Sequence, residues 1–239
     1  MSQLSGSIVE GYSQVGVSTL TTLLFKRGLR KQLMRDLVPV CPKAPRLVGQ
    51  AYTLRYIPAR EDLDTPAAYS RDDHPQRQAI ETCPPGYVLV IDARGDTSAA
   101  CAGDLMIGRL KARGAAGIVT DGGFRDVVGI EKVNLPTFHR RPAPAPAFIA
   151  HHAADINLPI GCGGVAVYPG DLIVGDADGV IVVPRHLAEE VLKEAIEATR
   201  YDEFAEAEIA RGRSLVGLYP PTPASMKEYE AWNVSRAKV

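Results

Sequence analysis

Residues 103–126 have the sequence GDLMIGRLKARGAAGIVTDGGFRD, which combines a helix, a strand and a turn. Gly103 and Asp104 open the predicted helix, with Asp104 as the expected N-cap, and Gly114 is the expected glycine just past its end. The apolar run Gly117–Thr120 predicts a short buried strand. A glycine-rich turn then leads to the charged pair at positions 125 and 126.

The two polar ends of this unit form a candidate site. A helix N-terminus presents unpaired N–H groups and partial positive charge, so residues 103–106 can hold an anion. Arg125 and Asp126 follow a strand, where open α/β sheets bind ligands. If helix and strand pack side by side, both ends face one crevice that suits a small oxo-acid and a divalent cation. The alternative is that Asp104 only caps a helix and that Arg125 and Asp126 occupy a solvated turn.

The segment before this unit completes a βαβ pattern. Tyr87–Asp92 (YVLVID) predicts a buried strand, and a loop of small residues connects it to the helix. Strand, helix and strand in succession indicate a parallel pair with a right-handed crossover. The loop contains neither G-x-G-x-x-G nor a Walker sequence, which argues against a nucleotide site.

Composition indicates a globular protein. The 239 residues are 46% hydrophobic, with a net charge of −1 and a pI near 6.5. This balance gives no basic footprint for nucleic acid or an anionic membrane. Four scattered cysteines without a C-x-x-C favour a reducing, cytoplasmic setting over a disulfide framework or zinc site. We expect neither a signal peptide nor a membrane span.

The outer segments carry weaker patterns. Residues 1–14 are expected to form a loose arm, and residues 187–211 a long helix. Residues 58–75 are polar, as in a solvated insertion or a long functional loop. Residues 213–239 form an aromatic-containing tail that we expect to dock on the body or on a neighbouring subunit.

The region after Asp126 predicts extended chain. We expect a short strand near Val133 and another over residues 147–150. The cationic run at positions 139–141 would meet an anionic substrate, or else lie in a solvated loop or subunit contact. The adjacent histidines 151 and 152 would point to opposite faces of a strand, which argues against a shared metal.

The spacing of Asp104, twenty residues, Arg125 and Asp126 resembles the D-x20-R-D signature of class II 4-hydroxy-4-methyl-2-oxoglutarate aldolases, in the superfamily of the regulator of ribonuclease activity A. A second block, residues 163–180, also resembles this superfamily, and the resemblance covers about residues 15–212. It implies one α/β domain over residues 1–239, of the swivelling β/β/α type, with a mixed central sheet flanked by helices and a long C-terminal helix. It also implies homotrimers or homohexamers with active sites between subunits.

The resemblance further implies a metal-dependent lyase. Such an enzyme releases pyruvate from a 4-hydroxy-2-oxo acid, or decarboxylates oxaloacetate, through a pyruvate enolate. Asp126 would be the carboxylate ligand of Mg²⁺ or Mn²⁺, and Arg125 would pair with substrate oxygens. Asp104 would hold a metal-bound water or assist proton transfer.

Two further assignments follow from the resemblance. Backbone N–H groups at the helix start would cradle the substrate carboxylate, and the residues concerned are Gly103, Asp104, Leu105 and Met106. A glutamate on the C-terminal helix of a neighbouring subunit would complete the site, with Glu203 as the first candidate and Glu206 as the next.

Two alternatives stay open. The first is a non-catalytic regulator that binds a ribonuclease or helicase, although the ribonuclease regulators depart from D-x20-R-D and this chain keeps it. The near-neutral net charge also argues against direct RNA binding. The second alternative is the same site chemistry on a 2-oxo acid derived from a sugar acid.

Overall fold

The computed structural model describes residues 4–236. Within this range the helices are α1 (Gly6–Tyr12), α2 (Val17–Lys26), α3 (Pro66–Tyr69), α4 (Pro75–Thr82), α5 (Asp104–Ala112), α6 (Val127–Val133), α7 (Ala188–Ala210) and α8 (Pro223–Arg236). Short 3-10 helices occupy Ala147–Ile149 and Arg185–Leu187. The strands are β1 (Leu33–Met34), β2 (Val38–Pro39), β3 (Leu47–Pro58), β4 (Tyr87–Asp92), β5 (Ala100–Ala102), β6 (Gly117–Thr120), β7 (Gly123–Phe124), β8 (Thr137–His139), β9 (Arg141–Pro142), β10 (His151–Ile156), β11 (Ile160–Cys162), β12 (Val165–Val167), β13 (Leu172–Asp176) and β14 (Gly179–Val183).

A nine-stranded mixed sheet forms the centre of the molecule. Its strand order is β1-β14-β13-β3-β4-β6-β8-β2, and β10 pairs with the far half of β3. Strands β3, β4, β6 and β8 run parallel, whereas β13, β14, β10 and β2 pair antiparallel with their neighbours. The expected parallel pair is confirmed, with Val88 of β4 opposite Gly117 of β6. The mixed central sheet and the long helix α7 confirm the expected fold class.

Strand β4 shows how the sequence places the core. Leu89 and Ile91 pack into the cluster that contains α4 and α5, while Val88 and Val90 pack towards the hairpin β11–β12. Because side chains alternate across a strand, an uninterrupted apolar run fits a strand that is covered on both faces. A third cluster joins α1, α2 and α7 to β13 and β14.

Three local expectations were wrong. Residues 1–14 contain α1, and Tyr12 is buried with its hydroxyl donating to the carbonyl of Ala188 at 2.8 Å. The segment around Val133 is helical, because buried Ile130 packs α6 into the core. Residues Ala147–Ile149 form a 3-10 helix instead of a strand.

The tail packs on α7. Helix α8 contributes Tyr229 and Trp232 to an aromatic cluster with Tyr201 and Phe204. The hydroxyl of Tyr201 donates to the Leu218 carbonyl at 2.5 Å, which fixes the connecting segment. Within residues 4–236, no helix combines the length and the apolar character that a membrane crossing requires.

Candidate active site

A small second sheet brings the two charged ends together. Strands β5 and β7 pair in parallel with Ala102 opposite Phe124, and the amide of Arg125 donates to the Ala102 carbonyl at 3.1 Å. Gly103 follows β5 and Arg125 follows β7, so both leave the sheet at the same edge. The parallel pairing therefore places the start of α5 beside Arg125 and Asp126.

Helix α5 begins one residue earlier than expected. Its N-cap is Gly103 in an extended conformation, and Asp104 is the first helical residue, so the assignment of Asp104 as N-cap was wrong. The Leu105 amide donates to Oδ1 of Asp104 at 2.7 Å. One first-turn amide thus has an acceptor within the protein, and the others stay available to an anion.

Arg125 and Asp126 form an ion pair beside the start of α5. Nε of Arg125 lies 3.2 Å from Oδ2 of Asp126, and the two side chains are 46% and 47% exposed. A Cβ on Gly103 would lie 2.6 Å from the same Oδ2. The absence of a side chain at position 103 is therefore what lets the carboxylate approach the start of α5.

These residues line a cleft of about 790 Å³. Six of the seven residues expected at the site line it, and Glu203 does not: the six are Gly103, Asp104, Leu105, Met106, Arg125 and Asp126. Sequence reasoning missed the other lining residues, among them Tyr69, Arg77 and Phe148. Tyr69 ends α3, Arg77 lies in α4 and Phe148 lies in the 3-10 helix after the proline-rich run, and no motif in the sequence marks them.

The polar loop 58–75 forms a wall of the cleft. Oδ1 of Asp64 lies 2.7 Å from Nδ1 of His152, and the Arg60 amide donates to Oδ2 of Asp64 at 2.8 Å. The ring of Tyr69 packs on Phe148 with centroids 5.4 Å apart. Tyr69 and Asp72 are the residues of this loop that line the cleft, and a functional role for the loop stays a prediction.

Burial controls the protonation of Tyr69. Desolvation raises the pKa of its phenol, and the positive charges of Arg125 and Arg77 oppose that shift. The phenol is therefore protonated near neutral pH and can donate a hydrogen bond into the cleft. The guanidinium carbon of Arg77 lies 5.7 Å from the centroid of the Tyr69 ring, and Arg125 lines the same cleft.

Asp121 holds the frame behind the cleft. Its buried carboxylate accepts from the amides of Ala93 at 2.7 Å, Gly95 at 3.0 Å and Gly163 at 3.2 Å. It thereby ties the loop after β4 to the second block of residues that carried the resemblance. The turn after β6 thus has a structural carboxylate in addition to the pair at positions 125 and 126.

The cationic run after β8 does not reach the cleft. His139 is buried, stacks on Phe124, and has its pKa lowered to about 4 by desolvation. Arg140 donates to the carbonyl of Gly95 at 3.2 Å, and Arg141 donates to Thr97 at 2.6 Å. These arginines stabilise the loop after β4, and a direct contact with substrate is not supported.

Glu203 and Glu206 lie outside this cleft. Both are exposed on α7, and Oε2 of Glu203 lies 3.1 Å from Nη1 of Arg236 in a separate groove. The structure of one chain does not bring them to Arg125. Their contribution from a neighbouring subunit stays a prediction.

The donor set fits a weakly chelated divalent cation. Among residues 4–236 there is no cluster of three or more His, Cys, Asp or Glu side chains able to hold a metal. Mg²⁺ is usually held by one or two carboxylates, with waters and substrate oxygens completing its shell. Asp126, half-exposed against Gly103 and close to the start of α5, meets that requirement.

Comparisons with known proteins show the family of this chain. The family model described as RraA-like, Aldolase/RraA, matches residues 16–182. A Halalkalibacterium halodurans protein provisionally named 4-hydroxy-4-methyl-2-oxoglutarate aldolase is 43% identical over 142 residues, which cover 59% of this chain and 67% of that protein.

Two crystal structures share the fold. An uncharacterized protein from Pseudomonas syringae pv. tomato has a TM-score of 0.79 at 25% identity, over 91% of this chain and 99% of that one. Streptomyces coelicolor RraAS2, described as an unusual member of the RNase ES inhibitor RraA family, has a TM-score of 0.76 at 28% identity, over 86% and 98%. The chain belongs to the RraA-like (Aldolase/RraA) family.

Proposed function

We propose that this protein is a divalent-metal-dependent lyase that releases pyruvate from a 4-hydroxy-2-oxo acid, decarboxylates oxaloacetate, or does both. The observation that carries the proposal is the meeting of three groups in one cleft: the Arg125 guanidinium, the Asp126 carboxylate and the N-terminus of α5. The name of the Halalkalibacterium halodurans relative supports a lyase of the aldolase type.

Arg125 and the helix start would bind the pyruvyl half of the substrate. The ion pair with Asp126 is made at Nε, so the terminal nitrogens of Arg125 remain for a two-point contact with the 2-oxo and carboxylate oxygens. The first-turn amides of α5 would add hydrogen bonds to the carboxylate. These contacts fix the orientation of the bond that breaks.

Asp126 would hold the cation, with Asp104 contributing through a water. Mg²⁺ or Mn²⁺ in this position would polarise the 2-oxo group as a Lewis acid. Imine chemistry is not supported, because no lysine is found among the described residues that line the cleft. Lys111, the lysine of α5, donates to the carbonyl of Val133 at 2.6 Å.

Asp104 would move protons during the reaction. Its Oδ1 accepts from the Leu105 amide, which holds the side chain at the start of α5. Its Oδ2 would then exchange the proton with the substrate. In the cleavage direction the substrate's 4-hydroxyl loses its proton while the C3–C4 bond breaks, and C3 then gains a proton to give pyruvate. A glutamate from a neighbouring subunit, Glu203 or Glu206, would share this task.

A regulatory role remains the alternative. The likeness to RraAS2, described by its relation to an RNase ES inhibitor family, keeps it open. A regulator of this kind would bind its ribonuclease or helicase partner without turning over any 2-oxo acid.

The test is a pyruvate-release screen. The protein is incubated with oxaloacetate and a panel of 4-hydroxy-2-oxo acids, with Mg²⁺ or with excess EDTA, and pyruvate is measured by coupling to lactate dehydrogenase. We expect pyruvate release above that of a sample without protein from at least one substrate with Mg²⁺, and no such excess with EDTA. Full activity in EDTA would contradict the metal mechanism, and no pyruvate from any substrate would contradict the lyase.

A further inference from the structure

Arg77 is a cation in the cleft that the proposed chemistry does not use. It lies in the first turn of α4, is half-buried and lines the same cleft as Arg125. Its Nε donates to the carbonyl of Tyr69 at 3.2 Å. Within residues 4–236 its terminal nitrogens have no carboxylate partner, so the charged end of the side chain is open to a ligand.

The other two cleft arginines are neutralised by the protein. Arg109 makes a two-point contact with Glu81, at 2.9 and 2.8 Å, and Arg125 pairs with Asp126. Charged groups removed from water are normally paired, because an unpaired one loses solvation without compensation. Half-buried Arg77 lacks such a partner among the described residues, so its guanidinium is available to an anionic ligand.

The Arg77 side chain is held in place before any ligand binds. Its guanidinium carbon lies 5.7 Å from the centroid of the Tyr69 ring. That ring packs edge-on against His74 with centroids 5.1 Å apart, and against Phe148. A guanidinium held over an aromatic ring by a cation–π contact loses less side-chain freedom on binding than an unsupported one, and its planar fork matches a carboxylate.

We infer that Arg77 binds a second carboxylate of the substrate, with the Tyr69 phenol as a neighbouring donor. A 2-oxo dicarboxylic acid would then bind with one end at Arg125 and the other at Arg77, which makes Arg77 the residue that distinguishes it from a monoacid. A 2-oxo acid derived from a sugar acid carries hydroxyl groups at its far end and would leave Arg77 unpaired. The identification of these ligands as cleavable substrates rests on the proposed lyase function.

The first experiment compares two substrates that differ at the far end. 4-Hydroxy-2-oxoglutarate carries the second carboxylate, and 4-hydroxy-2-oxopentanoate carries a methyl group there. We expect Arg77→Gln to lower kcat/KM for the diacid by about ten- to a hundredfold, mainly through KM, as loss of a charge-assisted hydrogen bond predicts. The monoacid should change by less than about twofold, and Arg77→Lys should restore part of the diacid activity.

Arg109→Gln is the matched control. It removes the same charge from the same cleft, but its guanidinium is already paired with an exposed Glu81. It should leave the preference between diacid and monoacid unchanged. If Arg77→Gln lowers kcat/KM equally for both substrates, Arg77 has a structural role. If kcat/KM for the diacid is unchanged, Arg77 does not bind the substrate. Either result overturns the inference.

A binding measurement separates this inference from the lyase proposal. 2-Oxoglutarate and 2-oxopentanoate have equal chain length and no 4-hydroxyl group, so neither undergoes this cleavage. By calorimetry with Mg²⁺, the wild type should bind 2-oxoglutarate at least about tenfold more tightly, and Arg77→Gln should abolish the difference. If no acid yields pyruvate but this preference depends on Arg77, the lyase fails and the dicarboxylate site stands. If the wild type shows no preference, the dicarboxylate site fails whether or not pyruvate is released.

Discussion

Gly103→Ala tests the geometry of the site with the smallest possible change. The backbone at Gly103 has φ −121° and ψ −179°, which any residue adopts, so alanine introduces no backbone strain. Its new Cβ would nevertheless lie 2.6 Å from Oδ2 of Asp126 and 3.2 Å from Nε of Arg125. The substitution therefore acts on the two proposed catalytic groups and on little else.

The size of the effect follows from these distances. An ordinary contact for a Cβ begins near 3.4 Å, so the Asp126 oxygen must move by about 0.8 Å. Because a misplacement of about 1 Å can reduce the rate of a catalysed reaction by about a hundredfold, we expect kcat/KM to fall by about ten- to a hundredfold. Alanine is a poorer N-cap than glycine by up to about 1 kcal/mol, which corresponds to about 2–4 °C in Tm for a chain of this size.

The assay is Mg²⁺-dependent pyruvate release, read together with thermal unfolding. Gly108→Ala in the same helix is the control, because its Cβ would meet only Val133, at 3.7 Å. That change should leave kcat/KM intact and raise stability slightly, since alanine favours a helix interior. Wild-type activity in Gly103→Ala would refute the placement of Asp126 at the reacting centre. Lost activity with a far larger fall in Tm would show disruption of the fold instead.

Three further substitutions probe separate parts of the molecule. Arg125→Lys keeps the charge but loses the planar fork, so kcat/KM should fall by about ten- to a hundredfold with Tm nearly unchanged. A kcat/KM equal to that of the wild type would exclude a contact between Arg125 and the substrate. Asp126→Asn should abolish metal-dependent turnover while the circular dichroism spectrum stays native, and normal turnover would assign the metal elsewhere. His139 has its pKa lowered to about 4 from 6.5, so the folded state binds fewer protons than the unfolded chain between these values. Its contribution to stability is complete above about pH 6.5 and falls by up to about 1.4 kcal/mol per pH unit as the pH drops towards 4. The free energy of unfolding, measured with urea at several pH values, should therefore depend less on pH in His139→Leu than in the wild type. An unchanged pH dependence would assign it to other groups.

The elements that sequence predicted well have strong local signals. Strand β4 is an uninterrupted apolar run, and α5 is followed by Gly114, which adopts φ +81° as a helix-terminating glycine should. Helix α6 shows the opposite case. Its valines favour a strand, but Ile130 packs into the core and Gly129 lies against the side chain of Asp104, so tertiary contacts override local preference.

The site itself was only partly predictable. The pair at positions 125 and 126 and the start of α5 were found because spacing and helix-end chemistry mark them. The strands that join them, β5 and β7, have only three and two residues and carry no alternating pattern. Tyr69 and Arg77 depend on how a long loop folds back over the sheet, which no local sequence rule determines.

The backbone of Asp126 explains why the residue suits its position. It adopts the left-handed region, with φ 59° and ψ 40°, at the N-cap of α6, and its side chain makes no capping hydrogen bond there. Aspartate and asparagine tolerate this conformation better than other residues with a Cβ. The turn thus begins α6 and also directs a carboxylate that is not used as a cap back towards Arg125 and Gly103. Asparagine keeps that conformation and removes only the charge, whereas alanine would disturb both, so the asparagine variant separates the catalytic role of Asp126 from its structural one.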